Sequence, residues 1–262
     1  YETKPYRGAR LFAEYEWVGP IGSAQYRIPT VTARSAAGLP VILDPQVHTL
    51  NQLVGAYSTP TGNLTVRVGR QELLLNDGRF VSQSLWRQHH QTFNAVTATV
   101  RPRPGVTAFY AYLRDMHRVV GGAASDGRVP MNSHLANVVY TRSGIAAVTA
   151  YAYLLDNRDR RLPAGLTPFF NSTKTFGTRV EGPLRLNDSW SVPYTVEFAR
   201  QTDHAGNPYR VGVNYGLVRL GAAYRGVNVE GVEYWVSAWK RAPDANPKAP
   251  SLRFSLQKKE AQ

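Results

Sequence analysis

The sequence predicts an all-β protein: a transmembrane, antiparallel up-and-down β-barrel of about 12 strands, forming one domain over residues 1–262. Three observations lead there. Apolar and polar residues alternate along most of the chain, the signature of strands with one apolar face. The connections between these stretches are alternately short and long, as in outer-membrane barrels. Charges of both signs stand mid-strand on the non-apolar face, as they would in a water-filled lumen, while aromatic residues gather near strand ends, where lipid headgroups would lie.

In chain order, residues 8–19 put Leu11, Ala13, Tyr15 and Trp17 on one face and Arg10, Phe12, Glu14 and Glu16 on the other. A strand over 48–58 follows. Over 63–75, Leu64, Val66 and Val68 oppose Thr65 and Arg67. The strand over 87–101 enters at the outer rim. It keeps Arg87, His89 and Gln91 toward water, then turns Val96, Ala98 and Val100 to hydrocarbon. Strands over 105–118 and 145–157 are apolar on both faces, so their parity stays open; 132–142 lies between them. Over 172–183, Phe176 and Val180 oppose Thr175, Gly177, Arg179 and Glu181. Over 189–202, Trp190, Val192, Tyr194, Val196 and Phe198 face away from Ser191, Thr195 and Glu197. Pro193 lacks a donor there, which predicts a bulge or a lost hydrogen bond. In 208–224, Arg219 falls on the apolar parity, which predicts a further bulge. Strands over 227–240 and 249–259 end the series; in the last, Leu252, Phe254 and Leu256 oppose Arg253. An even count puts both termini at the short-turn, periplasmic end.

Composition narrows the function. Lys and Arg number 31 against 18 Asp and Glu, so the net charge is 31 − 18 = +13, which favours an anionic partner. Cysteine is absent, which removes disulfides and thiolate metal sites. No Gly-x-Ser-x-Gly elbow or zinc helix occurs, and no enzyme or cofactor is expected. His89 and His90 with Asp77 make a poor metal cluster, because neighbours on a strand face opposite sides. The basic residues are scattered and carry no recognition motif, so nucleic acid is not expected as a partner. Arg158, Arg160 and Arg161 share one long loop, where they would be solvated or touch anionic lipopolysaccharide. The chain opens at Tyr1 without a signal peptide, the expectation for a processed or trimmed product.

Several stretches then resemble one family. "GRQELLLNDGRFVSQSLWRQHHQTFNAV", Gly69–Val96, is similar to the strand–loop–strand signature of the alginate-export family of outer-membrane porins. "DPQVHTLNQLVGAY" (Asp44–Tyr57), "FYAYLRDMHRVVG" (Phe109–Gly121), "NSTKTFGTRVEG" (Asn171–Gly182) and "YTVEFARQTDHAGNP" (Tyr194–Pro208) follow in family order. The resemblance covers roughly residues 1–235. It implies a monomeric barrel in the bacterial outer membrane that passes anionic polysaccharide past basic lumen residues. Arg87 is carried over with the matched Trp-Arg-Gln element; Arg70 and Arg79 match as well, Arg79 as a loop anchor. The chain is shorter than the family pattern and lacks its later strands and terminal aromatic residue, which makes a trimmed, redesigned or divergent member the expectation. Parity places Arg67, Arg87, Arg101, Arg179 and Arg253 inward with His89 and Gln91, and puts Glu14, Glu181 and Glu197 within reach as partners. The expected function is an Arg-lined channel for anionic solutes, with the lipid bilayer and lipopolysaccharide around it. The rival readings are an engineered pore without a specific substrate and a soluble basic barrel that binds polyanions.

Overall fold

A computed structural model describes residues 1–19, 21–22, 26–28, 38–84, 86–158, 172–224, 227–229, 234–240 and 252–258, the last three stretches for their backbone only. Among these residues there is no helix. The strands are β1 (Ala9–Val18), β2 (Val47–Ser58), β3 (Leu64–Gln71), β4 (Thr92–Arg103), β5 (Val106–His117), β6 (Arg128–Arg142), β7 (Ala146–Leu155), β8 (Thr173–Arg185), β9 (Trp190–Asp203), β10 (Gly212–Leu220), β11 (Ala222–Tyr224), β12 (Val227–Val229), β13 (Tyr234–Lys240) and β14 (Leu252–Lys258). From β1 to β10 each strand pairs with its neighbours in sequence; β13 then pairs with β10, and β14 with β13. This up-and-down order matches the expected strands closely. Two expected strands are each divided, 208–224 into β10 and β11, and 227–240 into β12 and β13.

The short connections are tight turns. Gly62 takes a positive φ after Pro60, and its N–H donates to Thr59 O at 2.8 Å. In the turn after β8, Asn187 Oδ1 accepts from the N–H groups of both Ser189 and Trp190 at 2.9 Å. The long connections carry loops with polar anchors. Between β5 and β6, Arg118 pairs with Asp126. Burial pushes that guanidinium below its ordinary value and Asp126 pulls it back.

The chain divides into two compact units. Unit 1 is Tyr1–Val100, Tyr110–His134 and Leu155–Asn171; unit 2 is Arg101–Phe109, Leu135–Leu154 and Ser172–Gln262. Within each, apolar residues are exposed along the outward face of the strands, while polar residues are buried beside apolar ones such as Val54, Leu113, Leu135 and Leu217. In unit 1, Leu11, Tyr15, Trp17, Leu53, Val68 and Val96 are exposed, whereas Asn51, Gln71, Thr92 and Thr97 are buried. In unit 2, Val138, Phe176, Val196, Phe198 and Val218 are exposed, whereas Thr175, Arg179, Thr195 and Glu197 are buried. On β9 the change occurs at every residue: Thr195 buried, Val196 exposed, Glu197 buried, Phe198 exposed. A soluble barrel would show the reverse, since apolar burial drives its folding.

Two local expectations change and a third resolves between its two outcomes. The expected strand 87–101 begins at Thr92, because the residues before it form turns; Arg87, His89 and Gln91 therefore do not share a strand face. Arg219 needs no bulge, for β9 and β10 pair without a register shift from Gly212↔Thr202 to Leu220↔Tyr194. Arg219 shares its side with the buried Tyr215 and Leu217, and the outward residues are Val218 and Leu220. At Pro193 the lost hydrogen bond is found and the bulge is not: the register sets Gly221 opposite it on the β10–β11 side, where Pro193 has no N–H to return. On β8, Pro193 stands opposite Pro183, a rung that suits the unbonded pairs of an antiparallel ladder. On the other side of β9, the break between β10 and β11 falls at Gly221, whose N–H donates to Pro193 O at 2.9 Å.

Candidate functional site

The buried face of unit 2 holds a charged cluster. Alternation on β8 brings Arg179 and Glu181 to the same face, and the β8–β9 register sets Arg179 opposite Glu197. Arg179 Nη1 donates to Glu197 Oε2 at 2.9 Å, and its Nε and Nη2 reach Glu181 Oε2 at 3.0 and 2.9 Å. The other Glu197 oxygen accepts from the Tyr151 hydroxyl at 2.6 Å. Tyr151 stacks on Tyr153 with ring centroids 4.8 Å apart. Gly177 leaves the space this ring occupies, since a Cβ there would run into the Tyr151 ring. The Glu197 side chain is fully buried and that of Glu181 is 44% exposed. Arg179 thus joins two carboxylates across neighbouring positions, so this cluster braces the wall. Tyr151 was not foreseen, because the strand that carries it is apolar on both sides.

Unit 1 carries a longer polar seam. A register shift between Glu14 and Tyr15 sets Glu14 opposite Gln52 and Tyr15 opposite Leu50, leaving Asn51 as the extra residue of a bulge. Both amides thus reach one carboxylate: Asn51 Nδ2 donates to Glu14 Oε1 and Gln52 Nε2 to Glu14 Oε2, each at 3.2 Å. Arg70 extends the seam, its Nε donating to Thr92 Oγ1 at 2.8 Å. Asp115 accepts from Arg128 Nε at 3.1 Å and from Asn94 at 3.3 Å.

The residues from β3 to β4 fold onto this seam. His89 is buried, with Nδ1 3.0 Å from Glu16 Oε2 on β1, and His90 Nδ1 lies 2.9 Å from Glu72 Oε1. Arg87 stacks over Trp86, its Cζ 3.9 Å from the ring centroid, and approaches Asp44 at 3.6 Å. Gln91 Nε2 donates to Ser82 O at 2.9 Å. The two histidines go to different carboxylates, and no group of three or more His, Asp or Glu suited to a metal occurs among the described residues.

Arg67 sits differently. With Arg10, Glu2, Phe12, Gln52 and Thr65 it lines a cavity of about 280 Å³ at the short-turn end of β1–β3. Arg10 Nη1 pairs with Glu2 Oε1 at 3.1 Å. Arg67 makes no ion pair among the described residues, so the cavity holds two guanidinium groups and one carboxylate. Arg101 is exposed near the end of β4. Arg253 belongs to the backbone of β14, opposite Trp239, and its side chain lies outside the described residues. Arg160 and Arg161 lie outside them as well.

Long antiparallel strands that show apolar side chains outward and bury polar ones define the wall of an outer-membrane β-barrel. The family model for alginate export matches residues 44–225. The chain belongs to the alginate export family, a family of outer-membrane channels rather than enzymes, and is a protein of the bacterial outer membrane. Solved porins have a similar backbone. OccAB3 from Acinetobacter baumannii has a TM-score of 0.58 and 12% identity, over 88% of this chain and 58% of that one. OccAB2 from Acinetobacter baumannii has a TM-score of 0.58 and 9% identity, over 95% and 55%. A BenF-like porin from Pseudomonas fluorescens Pf-5 has a TM-score of 0.54 and 12% identity, over 88% and 53%. At such identities the likeness is one of fold. The chain spans less than two thirds of each of these porins. No curated protein matches it in sequence.

Proposed function

We propose that this chain forms the wall of an outer-membrane channel that passes anionic solutes, with uronate chains of the alginate type as the substrate class. The observation that carries the reading is the Arg67 cavity. Two of the other arginines expected to face inward pair with carboxylates, Arg87 with Asp44 and Arg179 with Glu197 and Glu181. Arg67 faces the same space as Arg10, and Glu2 is the one carboxylate among the described residues that line it. A guanidinium keeps its charge at any physiological pH and binds a carboxylate through a planar fork. Inward charges of one sign set the selectivity of a pore. The basic composition of +13 points the same way. The protein works as a monomer and as one domain in this reading.

The test is conductance in a planar bilayer under a KCl gradient. The expected reversal potential reports anion preference, and Arg67→Glu moves it toward cations while Arg101→Glu moves it less. Cation preference in the unaltered protein, or no movement with Arg67→Glu, overturns the reading.

A further inference from the structure

On the outward face of unit 2, two cations stand directly above an apolar groove. Lys174 of β8 pairs in register with Thr202, and Arg200 of β9 with Phe176 on one side and Asn214 on the other. Lys174 and Arg200 are thus diagonal neighbours, within common reach of one small anion. Arg200 is exposed; its Nη1 donates to Asn214 Oδ1 at 3.0 Å, which leaves the rest of its donor fork open. Neither cation has a carboxylate partner among the described residues. One step toward the short-turn end stand Phe176 and Phe198, 52% and 57% exposed. These two rings also line an outward groove of about 450 Å³ with Ala136, Val138, Ala150 and Ala152. Small side chains make its floor, and the two rings and Val138 are exposed along it.

The depth is right for a headgroup. At the other end of β9, Trp190 and Tyr224 pack with ring centroids 4.9 Å apart, as one aromatic girdle. Arg200 lies ten residues further along β9, roughly 34 Å at about 3.4 Å per residue. A strand tilt of about 40° turns this into roughly 26 Å of height, against an apolar band about 25 Å tall. Lys174 and Arg200 therefore emerge just beyond the hydrocarbon, at the long-loop rim.

We propose that this face binds a phosphorylated glycolipid of the outer leaflet, its phosphate between Lys174 and Arg200 and one acyl chain in the groove below Phe176 and Phe198. Charge complementarity selects the headgroup: a phosphate accepts from the Arg200 fork and pairs with Lys174 as a point charge. The groove selects a ligand with a hydrocarbon tail over free phosphate. The site rests on which face meets lipid and is independent of what the channel conducts.

The full chain, folded in micelles, is titrated with diphosphorylated lipid A, with its dephosphorylated form and with inorganic phosphate, and followed by native mass spectrometry. The phosphorylated lipid is expected to bind at least tenfold more tightly than the dephosphorylated one. Lys174→Gln/Arg200→Gln is expected to erase that difference, Lys174→Arg/Arg200→Lys to keep most of it, and inorganic phosphate to compete only weakly. Heat-modifiable gel mobility establishes that each variant is folded. Should the Gln pair not fold, Ala152→Phe, which fills the groove and leaves both cations, decides through a similar tenfold loss. Equal binding of both lipids, retention of the difference in the Gln pair, unaltered binding by Ala152→Phe, or full competition by inorganic phosphate overturns the proposal.

Discussion

Replacing Arg179 by Met isolates the cost of the buried charge. The side chain keeps its length and apolar stem, while the guanidinium that holds Glu197 at 2.9 Å and Glu181 at 2.9–3.0 Å disappears. Glu197 is then left fully buried with only the Tyr151 hydroxyl, 2.6 Å away. Removing one member of a buried pair costs about 3–5 kcal/mol, since the remaining charge is desolvated without compensation. Glu181 is partly exposed and water can replace its partner, so it adds well under about 1 kcal/mol. The expected loss is therefore about 3–5 kcal/mol. It is measured as the change in unfolding free energy from urea titration of the protein in micelles, with tryptophan fluorescence and heat-modifiable mobility as paired probes. Adding Glu197→Gln to Arg179→Met is expected to recover most of the loss, because the orphaned charge is gone. The coupling in that double-mutant cycle should exceed about 2 kcal/mol. A loss below about 1 kcal/mol for Arg179→Met, or additive behaviour of the two changes, would refute the reasoning and make the triad a solvated ornament of the wall.

Three further outcomes are expected. Gly177→Ala drives a methyl into the Tyr151 ring and costs about 1–3 kcal/mol as an overpacking defect; in a Tyr151→Ala background the same change costs much less, as read by the same titration. Val196→Arg places a charge on the exposed apolar face of β9 and costs about 2–4 kcal/mol in a bilayer-folding assay, whereas Thr195→Ser, one residue away on the buried face, is near neutral; equal effects would mean that the faces are assigned wrongly. His89→Ala releases the tie to Glu16, so limited trypsin digestion at Arg79 and Arg87 is expected to quicken severalfold while the strands stay resistant.

The strands were legible because their period of two survives at nearly every position, from Leu11, Ala13, Tyr15 and Trp17 to Val196 and Phe198. The orientation was legible as well, from charges set mid-strand, and Val68 is indeed exposed. Other features depend on information no local pattern carries. The segment Arg87–Gln91 alternates by coincidence, and only the turns before Thr92 show that it is not a strand. In β10 the pattern misled: Tyr215 and Leu217 are large and apolar yet face the polar side, which made Arg219 look misplaced. The bulge at Asn51 has no sequence mark, because Asn51 and Gln52 owe their common direction to Glu14, 37 and 38 residues away. Tyr151 meets Glu197 across 46 residues, a pairing fixed by strand order alone.

The rung of Pro183 and Pro193 bears on how such a wall assembles without error. Neighbouring hairpins must zip in one alignment while the chain enters the bilayer, where a mistake is hard to undo because hydrocarbon offers no other partner for an amide. A slip of one residue between β8 and β9 would bring a proline to a position where the ladder requires a donor. It would also turn Arg179 toward the lipid. Two side chains that contribute nothing to the finished zipper thereby proofread it, and the fidelity they confer would show in assembly yield rather than in the stability of the product.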